Sequence, residues 1–200
     1  MKLFNRWDLS SITFNDKTIE QVVSLKPIIV PHTFAIHANK RFAKMKVNIV
    51  ERFINKFMRG GTGQKIQGKV IRTHGQLQGK KLKLLKIMEK AFDEIEKRTK
   101  ENPVQVLIKA IENAAPREDV TQVEIAGIRY QVSVDVSATR RVDVALRHLA
   151  LGSLIKSFNN KKKLYECIAD EVIAAANNDA QNSFAVRKKD EIERIAKASR

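Results

Sequence analysis

Four lysines begin the stretch 79–98, in which apolar residues recur with the spacing of an amphipathic helix. They are Lys80, Lys81, Lys83 and Lys86, and every acidic residue of the stretch follows them. Lysines gain nothing from the positive end of a helix dipole, so this order favours a negatively charged partner at the helix start. Backbone N–H groups and lysines at that end would bind phosphate. A solvated basic face is the alternative interpretation.

The basic character extends well beyond this helix. The chain has 200 residues and a formal net charge of +16. Between residues 40 and 86, fourteen Lys or Arg residues stand against a single acid, Glu51. Such a surface suits a polyanion, because phosphate contacts release condensed counterions. We therefore expect a nucleic acid or an anionic membrane surface as the partner.

Several classes of site are disfavoured by the sequence. No apolar run approaches the roughly 18 residues of a membrane span, and the N-terminus has no signal-peptide core. The histidines have no metal-ligand spacing, and His148 is expected to pack at a helix edge. The one cysteine, Cys167, is expected to be buried. The glycines at 60–63 follow a helix, whereas a phosphate-binding loop follows a strand. We expect no catalytic residue, no metal, no cofactor and no small-molecule substrate.

Apolar periodicity predicts a mainly α fold, a bundle of about six to seven helices with one projecting two-stranded antiparallel β-ribbon. Asp16 is expected to cap a short helix that runs to Leu25. A second helix is predicted from Ala43 to Gly60, the first of three closely spaced glycines that end it. Further helices are predicted to begin near Gly79, Asn102–Pro103, Arg140, Leu164 and after Lys189. Irregular segments are expected over 1–15, 32–42 and 62–78.

The period changes to 2 in the segment 120–136, which predicts the ribbon. If Ala126–Gly127 forms a two-residue loop, Val123 faces Tyr130 and Glu124 faces Arg129. Alanine disfavours the positive φ of a type I′ turn, so a longer loop with a bulge is a second possibility.

Several ordered motifs together resemble a known family. Gly79-Lys80-Lys81, five residues, Ile87-Met88, two residues and then Ala91 resemble the signature of the seventh small-subunit ribosomal protein. The resemblance covers about residue 43 to the end of the chain. The long N-terminal region and the segment 62–78 resemble the archaeal and eukaryotic branch. Further similar segments are 49–58, 102–104, 108–113, 130–132, 140–142, 174–178 and 185–190.

This resemblance implies a helical bundle that binds the 3′ major domain of small-subunit rRNA and starts assembly of the subunit head. It implies a cytoplasmic, ribosomal protein near the mRNA exit and the E-site tRNA, with neighbouring ribosomal proteins as partners and no membrane. Residues 1–42 would be an N-terminal extension and residues 43–200 a single rRNA-binding domain. The ribbon tip, with Ala126, Gly127 and Arg129, would lie near tRNA and mRNA.

The resemblance implies that the basic pairs at 80–81 and 140–141 contact rRNA phosphates. The charge pattern predicts further contacts at other basic positions. A DNA-binding helical module is the main alternative, although no helix is rich in Arg, Asn and Gln. A nucleic-acid enzyme would need an acid cluster, and a membrane-surface protein would need large aromatic helix faces. The residues expected to contact rRNA are Lys40, Arg41, Lys44, Lys46, Lys65, Lys69, Arg72, Lys80, Lys81, Lys83, Arg140, Arg141, Lys161, Lys162, Lys163, Arg187 and Lys188.

Overall fold

A computed structural model describes residues 2–60, 65–66, 69–70 and 73–200, with the backbone only at 65–66 and 69–70. The described part is mostly helical, with two antiparallel strand pairs and short 3-10 helices at Ile36–Asn39 and Ala43–Lys46. The shorter strand pair lies at 65–66 and 69–70, so the prediction of an irregular segment over 62–78 is wrong there. The predicted α bundle with a two-stranded ribbon is confirmed. The elements are α1 Lys17–Glu20, α2 Ile49–Phe57, β1 Lys65–Ile66, β2 Lys69–Val70, α3 Lys81–Thr99, α4 Pro103–Ala114, β3 Glu118–Ile125, β4 Ile128–Asp135, α5 Ala138–Ser157, α6 Leu164–Ala176 and α7 Phe184–Ala198.

Helix α6 lies at the centre of the bundle, where it packs against α3, α4 and α5. Its buried side chains include Cys167, which is buried as predicted. The predicted apolar stripe of α3 faces the same core, because Leu84, Met88, Phe92 and Ile95 are all buried. Burial of each such side chain stabilises the fold by roughly 1.5–3 kcal/mol, so the stripe fixes how α3 lies on the bundle.

The N-terminal segment contributes to this core although its backbone is irregular, as predicted. Leu3, Trp7 and Leu9 are buried in the same hydrophobic cluster as the helices. The indole ring of Trp7 packs edge-to-face on Phe92, with 5.5 Å between ring centroids. The indole Nε1 of Trp7 also donates a hydrogen bond to Glu96, at 3.0 Å. The division of the chain at residue 42 stays a prediction.

Two of the predicted helix bounds are wrong near the start of the chain. Asp16 caps α1 as predicted, but the helix ends at Glu20 instead of Leu25 because the backbone then turns to meet Asn48. The amide of Asn48 donates to the carbonyl of Lys26 and accepts from the N–H of Val50. This capping starts α2 at Ile49 instead of Ala43.

Helix α2 ends at Phe57, three residues before the first of the glycines that were predicted to end it. Gly60 has no positive φ, and Gly61 and Gly63 lie outside the described residues. A Cβ at Gly60 would lie 2.3 Å from Cδ1 of Leu154, so the glycine permits close packing on α5. Helix α7 begins at Phe184, because the Ser183 hydroxyl accepts from the N–H of Val186. The basic run 187–189 therefore lies inside α7.

The ribbon has the predicted register. Val123 pairs with Tyr130, and Glu124 pairs with Arg129. Ala126 has φ 52° and Gly127 has φ 81°, so both residues of the two-residue loop are left-handed. This is the combination a type I′ turn requires, and the alternative of a longer bulged loop is wrong. Helix α7 packs against the ribbon, while side chains at its tip are largely exposed.

Shortening the ribbon should cost little stability. Replacement of residues 124–129 by Asn-Gly leaves Val123 and Tyr130 as the closing pair and removes Ile125 and Ile128, which are 61% and 57% exposed. Because few buried contacts are lost, we expect the free energy of unfolding to change by less than about 1 kcal/mol. Urea denaturation followed by circular dichroism measures this change. A loss of several kcal/mol would mean that the tip packs on the bundle.

Candidate nucleic-acid interface

The start of α3 is tied to α2 by a buried ion pair. Lys81 is the first residue of α3, and its Nζ donates to Oε1 of Glu51 at 2.5 Å. The Glu51 side chain is 1% exposed and the Lys81 side chain 16% exposed. Lys80 precedes the helix, and its exposed ammonium group donates to the carbonyl of Gly75. The two neighbouring lysines therefore differ sharply in environment.

A second cluster surrounds Asp143 of α5. Lys44 donates to its Oδ2 at 2.5 Å, while Arg52 and Lys56 lie 3.3 and 3.5 Å from its Oδ1. Burial alone would raise the pKa of Asp143, but the hydrogen bond from Lys44 and the neighbouring positive charges lower it below 3.8. One carboxylate faces three cations, so this region keeps an excess of positive charge that suits an anion.

The side chain of Arg141 is buried and hydrogen-bonded within the protein. Its guanidinium donates to Thr18 Oγ1 at 2.7 Å and to Asp16 Oδ2 at 2.9 Å. Arg140, its neighbour, is exposed and lies 3.3 Å from Asp119 on β3. The predicted basic pair is therefore divided into one residue that anchors α1 and one that faces solvent.

The Asp16–Arg141 pair makes stability depend on pH. The Thr18 hydroxyl, and after it the Arg141 guanidinium, lower the pKa of Asp16 from 3.8 to about 2. Because the folded-state pKa is depressed, this stabilisation is complete above pH 4 and is lost as the pH falls towards 2.

Asp16→Asn tests this coupling, because asparagine still caps the helix but carries no charge. We expect a loss of about 1–2 kcal/mol at pH 7, allowing for solvent screening at a side chain that is 24% exposed. The loss should shrink to near zero by pH 2 in urea titrations. Asp135→Asn on the ribbon is the control. A loss that is the same at pH 7 and pH 2 would contradict a charge effect.

Basic residues from distant parts of the chain meet in two surface clefts. Lys83 of α3 and Lys162 of the α5–α6 connection line a cleft of about 380 Å³. A smaller cleft of about 140 Å³ lies beside α2 and is lined by side chains that include His37, Lys44 and Arg59. Both clefts present cationic walls, which is the surface that phosphate groups require.

For the described residues, metal ligation, the environment of His148 and the length of apolar helices bear on other kinds of function. No three His, Cys, Asp or Glu side chains in this part of the chain gather where they could hold a metal ion. His148 is packed at the edge of α5 against Phe184, and burial lowers its pKa to about 4. Among the described helices, none is both long and apolar enough to cross a membrane.

Comparison with known proteins decides the family. The profile of the family Ribosomal protein S7p/S5e matches residues 19–200. The chain is also 45% identical to the small ribosomal subunit protein uS7 of Methanococcus aeolicus, over 100% of this chain and 99% of that protein. The protein of the same name from Methanococcus maripaludis is similar to the same extent, with 45% identity and the same coverage. The chain belongs to the S7p/S5e family of ribosomal proteins. Its role is structural and not enzymatic, and the expected archaeal type fits both relatives.

In this S7p/S5e protein, the predicted rRNA-contacting residues divide into three groups. Arg72 lies outside the described residues, and the side chains of Lys65 and Lys69 are also outside them. Six residues have carboxylate partners: Lys44, Lys81, Arg140, Arg141, Lys162 and Lys188. The other eight side chains form no ion pair with a carboxylate within the described part of the chain, although Arg187 acts electrostatically on Glu191: Lys40, Arg41, Lys46, Lys80, Lys83, Lys161, Lys163 and Arg187.

Three basic residues, two in α2 and one just after its end, were not among the predicted contacts. Arg52, Lys56 and Arg59 line the smaller cleft together with Asn55. Burial lowers the pKa of Lys56, and the nearby Lys44 and Arg59 lower it further against the opposing effect of Asp143. The available signal was their i, i+4, i+7 spacing, which puts three cations on one face of a helix.

Proposed function

We propose that this protein binds the 3′ major domain of small-subunit rRNA and starts assembly of the subunit head. The observation that carries the proposal is the group of eight basic side chains without carboxylate partners among the described residues, in a chain of net charge +16. Cations that are not neutralised internally are available to phosphate, and each contact adds affinity through counterion release. Membership of the S7p/S5e family supports rRNA as the polyanion.

The mechanism is the bridging of separate rRNA segments through their phosphates. Lys83 lies at the start of α3, and Lys161 and Lys163 flank the cleft-lining Lys162 in the α5–α6 connection. Phosphates of two rRNA helices in contact with these two elements would be held at a fixed distance by the rigid bundle. Recognition of this kind depends on the shape of the folded RNA and not on base identity.

The ribbon supports a second part of the proposal, contact with the E-site tRNA and the mRNA. Its tip residues Ala126, Gly127 and Arg129 are exposed, and the Arg129 side chain is 74% exposed. A two-stranded ribbon whose tip buries little surface in its own bundle suits contact with a partner. The neighbouring proteins of the small subunit are further partners in this proposal.

Crosslinking tests the rRNA site directly. The protein is bound to full-length small-subunit rRNA from Methanococcus maripaludis, irradiated, and the crosslinked nucleotides are identified by sequencing. We expect crosslinks confined to the 3′ major domain. Crosslinks spread evenly over all domains, or equal affinity for duplex DNA, would contradict the proposal and favour the DNA-binding alternative.

Reconstitution tests the ribbon. Small subunits assembled with the protein in which residues 124–129 are replaced by Asn-Gly should contain the normal amount of protein but retain less E-site tRNA. Wild-type protein and Arg129→Gln are the comparisons. Unchanged tRNA retention would mean that the ribbon contacts only rRNA or neighbouring proteins.

A further inference from the structure

Two phenylalanine rings project into solvent from the segment 32–46, which we call the aromatic loop. Phe34 is 79% exposed and Phe42 is 66% exposed, and Ile36 between them is 75% exposed. Phenylalanine is among the residues most often buried in a folded protein. Three large apolar side chains exposed within nine residues therefore mark an interaction surface.

The backbone of the aromatic loop is held in conformations that bulky residues rarely adopt. Phe34 has φ 49°, Ala35 has φ 60° and Phe42 has φ 59°. Non-glycine residues are strained in this left-handed region and stay there only where surrounding contacts hold them. Strain of this kind concentrates at binding sites, and here it coincides with the two exposed rings.

The contacts that hold Phe34 in place can be identified. The N–H of Phe34 donates to Nδ1 of His32 at 3.0 Å. The centroids of the His32 and Phe34 rings lie 4.2 Å apart. The N–H and hydroxyl of Thr33 both donate to Oε1 of Glu51, the buried carboxylate that also accepts from Lys81. The loop is thus anchored to the bundle immediately before Phe34, which presents the ring in a defined position.

The charge around the rings selects the kind of ligand. The stretch from Gln21 to Val50 has no acidic residue. Of the four cations in the loop, Lys44 is bonded to Asp143, while Lys40, Arg41 and Lys46 form no ion pair in the described part of the chain. The guanidinium carbon of Arg41 lies 5.3 Å from the centre of the Phe42 ring. A ligand complementary to this surface has flat apolar faces and regularly spaced negative charges. Unpaired nucleotides combine the two.

We propose that the aromatic loop binds an unpaired segment of rRNA by stacking Phe34 and Phe42 on its bases, while the loop cations contact its phosphates. This inference rests on the proposed rRNA binding and adds a contact to bases. It predicts that the loop prefers single-stranded to duplex RNA, because paired bases do not offer their faces to side chains.

Substitution of both rings by leucine tests the proposal. Leucine keeps the apolar character but cannot stack, so Phe34→Leu/Phe42→Leu should weaken binding to a transcript of the 3′ major domain by roughly 30-fold. The slope of log affinity against log salt should stay unchanged, since no phosphate contact is lost. Phe34→Trp/Phe42→Trp should retain affinity. Ile195→Ala removes an apolar side chain of α7 that is 46% exposed and is the matched control.

Fluorescence supplies an independent reading. Trp7 is the only tryptophan and is 4% exposed, so it gives a constant background. In Phe34→Trp, the added indole should be quenched by the transcript and by single-stranded oligouridylate, and much less by an RNA duplex of equal length. Thermal melting of each variant verifies that the fold is intact.

The outcomes separate this inference from the proposed function. Wild-type affinity in the double leucine variant, with no quenching in Phe34→Trp, would overturn base stacking while rRNA binding stands. If wild-type protein does not bind the transcript, the proposed function itself fails. Anionic phosphatidylglycerol vesicles provide a further test. Vesicle binding that depends on the two rings, with RNA binding that does not, would assign the loop to a membrane surface and overturn the proposal.

Discussion

Replacement of Lys81 by methionine is expected to destabilise the protein by about 3–5 kcal/mol, which is the usual result of removing one partner from a buried ion pair. Glu51 is 1% exposed, and Lys81 is the only cation bonded to it among the described residues. Without Lys81 the carboxylate keeps only the N–H and hydroxyl of Thr33 as donors. A buried charge without a countercharge costs far more than an exposed one.

The adjacent Lys80 provides a matched control. Its side chain is exposed and donates only to the carbonyl of Gly75, so Lys80→Met should change stability by no more than about 0.5 kcal/mol. Glu51→Gln/Lys81→Met should recover part of the loss, because glutamine keeps the acceptor for Thr33 without the charge. Urea denaturation measures all three variants. Equal, small losses for Lys80→Met and Lys81→Met would show that the Glu51 pair does not stabilise the fold.

Affinity for rRNA is expected to fall roughly 250- to 1,000-fold between 50 and 200 mM salt. The calculation takes about six phosphate contacts and slopes of about −0.7 to −0.9 per contact, which gives a total slope of about −4 to −5 in log affinity against log salt. Eight of the predicted rRNA-contacting cations have no carboxylate partner in the described part of the chain, so a number of about six phosphate contacts does not exceed the cations available.

Paired and unpaired basic residues should differ in this measurement. Lys161→Gln/Lys163→Gln removes two exposed cations of the α5–α6 connection and should reduce the slope by about 1.5. Arg141→Gln removes a cation already bonded to Asp16, so it should affect stability more than the slope. Filter binding to the 3′ major domain transcript at five salt concentrations gives each slope. A slope near zero at measurable affinity would exclude phosphate contacts as the main source of binding.

The sequence by itself determined the features that depend on local periodicity and on composition. The register of the ribbon followed from alternation around Ala126–Gly127, because a one-residue slip would move every side chain to the other face. The buried stripe of α3 followed from its 3.6-residue spacing. The net charge of +16 pointed to a polyanionic partner, and the ordered motifs from Gly79 onward led to the family.

Helix bounds and the role of single charges were decided by residues far apart in the chain. Asn48 pairs with the segment near Ser24 and starts α2 at Ile49, which shortens both neighbouring helices relative to their periodicity. Leu3 and Trp7 enter the core although no regular pattern surrounds them. Neither the Asn48 pairing nor the burial of Leu3 and Trp7 could be predicted from neighbouring residues. Each depends on contacts with residues that are distant in the sequence.

The lysine pair at 80–81 and the arginine pair at 140–141 show the same limit. In sequence each pair is two equivalent cations, yet Lys81 bonds Glu51 from 30 residues away and Arg141 bonds Asp16 from 125 residues away. Lys80 and Arg140 remain exposed, and Arg140 also pairs at the surface with Asp119. This difference was decided by the tertiary structure alone. A cation pairs with a carboxylate only if the fold places one within about 4 Å of it, and otherwise it is available to phosphate.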